Sequence, residues 1–99
     1  MILIHVSVQP KKGLSVDFEQ VLNEIILEAR QASGCRKYEW YRSLDTPSPY
    51  VIFGEFDTKD HFEQYLQSNV VKRIGQELIP LLETKPAFKH YEAEVFKEG

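Results

Sequence analysis

The sequence predicts an α+β fold with the element order β-α-β-β-α-β. Three observations carry this. Apolar residues alternate with period two over 2–8, and 35–44 and 50–56 also read as strands. Apolar residues take the i, i+3, i+4, i+7 spacing of a helix in two other stretches, and strand character returns over 87–96.

Ile2, Ile4, Val6 and Val8 share one face of the first strand, and Leu3, His5 and Ser7 the other; Gln9-Pro10-Lys11-Lys12-Gly13 closes it. Phe18, Val21, Leu22, Ile25, Ala29 and Ala32 then form the apolar stripe of an amphipathic helix. Ser15 or Asp17 is expected to cap it, and Gly34 to stop it in the left-handed conformation. The second strand puts Tyr38, Trp40, Arg42 and Leu44 on one side, and Lys37, Glu39, Tyr41 and Ser43 on the other. Asp45-Thr46-Pro47-Ser48-Pro49 is a turn, because two prolines fix φ and Asp45 can bond back to the backbone. Strand 50–56 completes a hairpin, in which Gly54 predicts a bulge or a close backbone approach. Asp57 or Thr58 caps a second helix carrying Phe62, Tyr65, Leu66, Val70, Ile74 and Leu78. Ser68-Asn69-Val70-Val71 is a poor helical run, so two pieces meeting near 68–70 are expected, with Pro80 ending or kinking the second. The last strand places Tyr91, Ala93 and Val95 on one face.

Short connections and the right-handed crossover rule turn this order into a four-stranded antiparallel sheet with both helices on one face, the ferredoxin-like arrangement. Tyr38, Trp40, Tyr41, Tyr50, Val51, Ile52 and Phe53 load both sides of the central hairpin, although helices cover only one. The expected remedy is a homodimer packed sheet to sheet.

At 99 residues, with 42% hydrophobic, 12% aromatic and 27% charged side chains, the chain reads as one folded domain spanning 1–99. A formal charge of −3 gives no basic footprint for nucleic acid or an anionic membrane. One cysteine, Cys35, leaves no intrachain disulfide, and no run approaches the roughly 20 apolar residues of a membrane span. Met1-Ile2-Leu3-Ile4 runs straight into His5 with no basic stretch before it, unlike a signal peptide, so a cytoplasmic location is expected.

Fold class alone does not give function. An RNA-recognition domain shares this order, yet Pro49–Phe56 lacks the basic lead residue of the RNA-binding octamer and carries Glu55. A small phosphatase of this fold needs an anion-cradling arginine loop after the first strand, where residues 9–13 hold only lysines.

A third comparison fits along almost the whole chain. Gly34-Cys35, then Tyr38-Glu39-Trp40-Tyr41-Arg42-Ser43 and a proline-containing turn, resemble the antibiotic biosynthesis monooxygenase family. So do Glu55-Phe56-Asp57-Thr58-Lys59-Asp60-His61-Phe62, Tyr65-Leu66-Gln67-Ser68-Asn69-Val70, Leu78-Ile79-Pro80-Leu81-Leu82 and Pro86. The resemblance implies a dimeric α+β barrel with a pocket between sheet and helices in each subunit. It further implies oxidation of a small aromatic, quinol-type molecule by O₂ with no metal, flavin or haem cofactor. Departures qualify it. The helix-two pattern His-Leu-x-Ser-x-His of many members reads here Tyr65, Leu66, Ser68 and Val70. The haem-degrading branch has a strand-one Asn, a helix-two aromatic and an axial His where this chain has His5, Tyr65 and Gly75, which argues against haem degradation.

Cofactor-free oxygenation needs a deprotonated electron-rich ring in a dry pocket. The residues matching this demand are His5 as proton acceptor, Arg42 as stabiliser of a phenolate or superoxide, and Tyr65 as a hydroxyl. Trp40 and Phe62 are expected beside Tyr65 as pocket walls, with His61 on the substrate side. Each also has a plainer reading: His5 bonded at a dimer face, the aromatics as core, Arg42 in a salt bridge with Glu39 or Glu55. Cys35 reads as structural, and His5, His61 and His90 lack metal-ligand spacing. Two other functions stay open, a non-catalytic dimeric binding or regulatory protein and a cofactor-free isomerisation of a small carbonyl compound.

Overall fold

Alternating β-branched residues form strand β1 over Ile2–Val8, which pairs antiparallel with β3, Tyr50–Phe56. In this computed structural model, which describes residues 1–42, 44, 50–86 and 88–99, the remaining strands are β2 (Cys35–Arg42) and β4 (Lys89–Glu92). Their order is β2-β3-β1-β4, all antiparallel, the predicted ferredoxin-like topology.

Helix α1 spans Ser15–Ala29 and buries Phe18, Leu22, Ile25, Ile26 and Ala29. Neither predicted cap operates: the N-cap is Leu14 with no side-chain bond, because a turn from Lys11 to Leu14 already aims the backbone into the helix. Gly34 does take φ +79°, but beyond the helix end at Arg30, where it turns the chain into β2. A Cβ there would lie 2.3 Å from Asp57 Oδ1 and 2.4 Å from His61 Nδ1.

Gly54 shows neither the predicted bulge nor a close backbone: an added Cβ would meet side chains, the Tyr38 ring at 3.1 Å and Ile4 Cδ1 at 3.2 Å. The bulge lies instead in β2, between Cys35 and Lys37. The turn expected at 45–49 lies outside the described residues.

Thr58 caps α2, Lys59–Leu66, by accepting the His61 N–H at 3.2 Å. As expected, the helical run breaks, at Gln67-Ser68, and α3 restarts over Asn69–Arg73. It continues into a π-helical turn, Ile74–Leu78, and a 3₁₀ turn at Ile79–Leu81 around Pro80. β4 is shorter than the predicted 87–96. It ends at Glu92 with one further pairing, Met1 with Ala93 at 2.9 Å, and leaves Val95 and Phe96 in solvent.

The core lies between the sheet and the helices. Ile2, Ile4, Val6, Val8, Tyr38, Tyr50, Ile52 and Phe56 meet Phe18, Leu22, Ile25, Phe62, Tyr65, Val70 and Leu78 there. Among the described residues no helix covers the opposite face, which carries Leu3, His5, Ser7, Tyr41, Val51, Phe53 and Tyr91. Among the described residues no helix is long and apolar enough to cross a membrane.

Candidate functional site

Helical spacing aims Phe62 and Tyr65 inward from α2, and period-two alternation aims Tyr38 inward from β2. The two tyrosines meet hydroxyl to hydroxyl at 2.7 Å, with ring centroids 5.9 Å apart. Phe56 backs Tyr65 at 4.9 Å and Phe62 at 5.7 Å, so the pair sits in an aromatic cluster. Desolvation dominates its electrostatics. Burial pushes Tyr38 up to about 12 and raises Tyr65 further, so both stay protonated at neutral pH.

Beside Tyr38, between sheet and helices, lies a small cavity of about 10 Å³ lined by Ile4, Val6, Leu22, Ile25, Tyr38, Ile52, Ile74, Leu78 and Phe88. That volume is about one water molecule, far below the ~300 Å³ of a typical ligand pocket. Its outer wall is Ile74 and Leu78 of the π-helical turn with the half-exposed Phe88. π-Helical turns recur at functional sites. Arg73 pins this turn, donating to Glu28 of α1 at 3.0 Å and to Glu77 at 2.7 and 3.1 Å. The pairing holds the Glu77 carboxyl below its ordinary range.

A wider groove of about 240 Å³ runs outside, between α2 and β4, lined by Ile2, Lys59, Phe62, Glu63, Leu66, His90, Tyr91 and Glu92. His90, exposed on β4, packs edge-on against the Phe62 ring at 4.8 Å.

The predicted site residues do not converge. His5 is exposed on the open face, opposite Phe53 and Lys89, while Tyr65 is buried beneath the other face. Trp40 is half-buried at the α1 edge; its Nε1–H donates to Asn23 Oδ1 at 2.8 Å and its ring lies 5.3 Å from Tyr50. Arg42 is exposed beside Tyr50, whose hydroxyl donates to Glu19; burial foremost, then Glu19, raises that phenol. His61 pairs with Asp57 at 2.7 Å, which holds the Asp57 carboxyl below its usual range. Only Phe62 and Tyr65, of the six, share one cluster. Cys35 donates weakly to the Lys37 carbonyl at 3.7 Å, and burial raises its thiol.

Sequence reasoning left Tyr38 out of the site. Its signal was present, since an inward tyrosine needs a partner for its hydroxyl. The Asp57–His61 and Arg73–Glu77 pairs were also legible as i, i+4 spacings, whereas Glu28–Arg73 joins residues far apart in sequence. Ser68 Oγ, at the helix break, is buried with no partner among the described residues.

Comparison with known proteins adds the family. No curated protein matches the chain. Solved structures match along nearly its whole length. A protein from Deinococcus radiodurans that bears the name of a monooxygenase family has 22% identity and a TM-score of 0.87, over 99% of this chain and 97% of that one. A Mycobacterium tuberculosis protein has 18% identity and a TM-score of 0.86, over 98% of both. A conserved Methanosarcina mazei protein has 22% identity and a TM-score of 0.85, over 94% and 92%. At such identities these likenesses establish the fold. The sequence model described as antibiotic biosynthesis monooxygenase matches residues 1–93, and by that match the chain belongs to the antibiotic biosynthesis monooxygenase family.

Proposed function

We propose that this chain is a homodimeric, cofactor-independent monooxygenase for a small aromatic or quinol-type molecule bound between its sheet and helices. The observation carrying this is the cavity beside Tyr38, otherwise lined by apolar residues and walled by the π-helical turn. The ring enters when Phe88 and the 74–78 turn move outward, and aromatic walls exclude water around it. One atom of O₂ becomes a new ring carbonyl. The other leaves as water with the two hydrogens that the ring gives up, so the substrate supplies all the electrons.

In this reading Tyr65, with Phe62 behind it, belongs to the site. His5, Arg42, Trp40 and His61 lie outside the cavity and are assigned no step there. The open sheet face bearing His5 is the surface a second copy covers, and residues 1–99 act as one domain.

A second reading, binding without oxidation, is favoured by the same cavity. It is nearly filled by core side chains, and none of His5, His61 and His90 lines it. Oxygen-electrode traces with a naphthohydroquinone separate the two. The oxygenase reading expects catalysed O₂ uptake that slows in Tyr65→Phe and is unchanged in His5→Ala. Saturable binding with uptake no faster than the uncatalysed background leaves the binding protein. Absence of binding removes both.

A further inference from the structure

We propose that Tyr38 determines ligand specificity: the aromatic molecule taken into the cavity must present an oxygen, a phenolic hydroxyl or a quinone-type carbonyl, to the Tyr38–Tyr65 hydroxyl pair. This rests on the reading that the cavity is the binding site. Of the nine residues lining it, eight are isoleucine, valine, leucine or phenylalanine, and Tyr38 is the one whose side chain carries a polar atom. The pair has two hydroxyl protons and one hydrogen bond, of 2.7 Å. Among the described residues nothing accepts the second proton.

The hydroxyls are also held in place. Gly54 lets the Tyr38 ring lie flat on β3, where even a methyl group would stand 3.1 Å away, and Phe56 fixes the Tyr65 ring at 4.9 Å. A fixed donor in an apolar wall discriminates strongly. A ligand oxygen satisfies the spare proton, whereas a hydrocarbon of the same shape leaves it unpaired and dry. Burial keeps both phenols protonated at neutral pH, so the pair acts as a donor and not as a base.

The test compares 1-naphthol with 1-methylnaphthalene, nearly equal in shape, by titration of the whole chain. Wild type is expected to bind the naphthol at least about fivefold more tightly, the worth of one neutral hydrogen bond. Tyr38→Phe abolishes the preference while still binding methylnaphthalene, and Tyr65→Phe, which keeps the Tyr38 hydroxyl, retains it. Equal affinity in wild type, or a preference surviving in Tyr38→Phe, overturns the proposal and leaves the cavity as the site. Failure of both probes to bind overturns the cavity as well. Should Tyr38→Phe not fold, wild type labelled at tyrosine Cζ decides. The Tyr38 signal, assigned with Tyr65→Phe, shifts on adding naphthol and not on adding methylnaphthalene; an unmoved signal refutes the role.

Discussion

The two faces of the sheet are built from alternate residues of the same strands, yet they have different fates. On the covered face Ile4, Val6, Ile52 and Phe56 are almost wholly buried against α1, α2 and the 69–78 segment. On the open face their neighbours Leu3, Val51 and Phe53 remain half-exposed, and Tyr41 and Tyr91 more so. Lys37 lies over the Phe53 ring at 5.8 Å and Tyr41 donates to Glu39, so polar side chains shield part of this surface. The covered face holds the fold together, whereas among the described residues no helix packs on the open one.

The largest expected effect separates the two faces of β3 on this principle. Phe56→Ala, at a fully buried ring touching Phe62 and Tyr65, should cost about 3–5 kcal/mol by chemical denaturation. Phe53→Ala should cost the isolated chain within roughly 1 kcal/mol. Similar losses at both would dissolve the contrast. Next, Gly54→Ala should destabilise by about 1–3 kcal/mol, because Tyr38 and Ile4 leave no room for the methyl. A neutral result would show the covered face to be looser than its packing implies.

Phe53→Glu sharpens the other side. It should leave the circular-dichroism spectrum unchanged and convert a sedimenting dimer to monomer. If wild type sediments as a monomer at micromolar concentration, the open face has some other use.

The smallest effect lies at the rim, in the exposed Asp57–His61 pair. The hydrogen bond from His61 depresses the Asp57 carboxyl below its ordinary 3.8. The stability it contributes is therefore complete above that value and is lost as pH falls through the lower folded one. Asp57→Asn should flatten the dependence of stability on pH below about 4 and change little at neutrality. Identical acid limbs would show that the pair contributes nothing.

Much of the fold was legible because periodicity is local. Residues 2–8 declared both strand and facing, 50–56 declared a strand, and the weak run at 68–71 announced the helix break. Local patterns misled where other forces acted: the turn at Lys11–Leu14 made a side-chain cap on α1 unnecessary, and the final strand stopped where β1 no longer offered a partner. The site was half legible. Phe62 and Tyr65 read as inward-facing aromatics, but His5 read as their companion because it sits in an apolar run. Alternation itself places it on the other side of the sheet.

Residue order along the chain sets most of the elements and the family, since propensity, alternation and motif order are local. Which inward residues meet is a matter of packing in three dimensions. Tyr38 reaches Tyr65, Arg73 reaches Glu28, and the space beside Tyr38 closes to about 10 Å³. Such contacts depend on strand register and helix placement, which distant packing sets through the whole core at once.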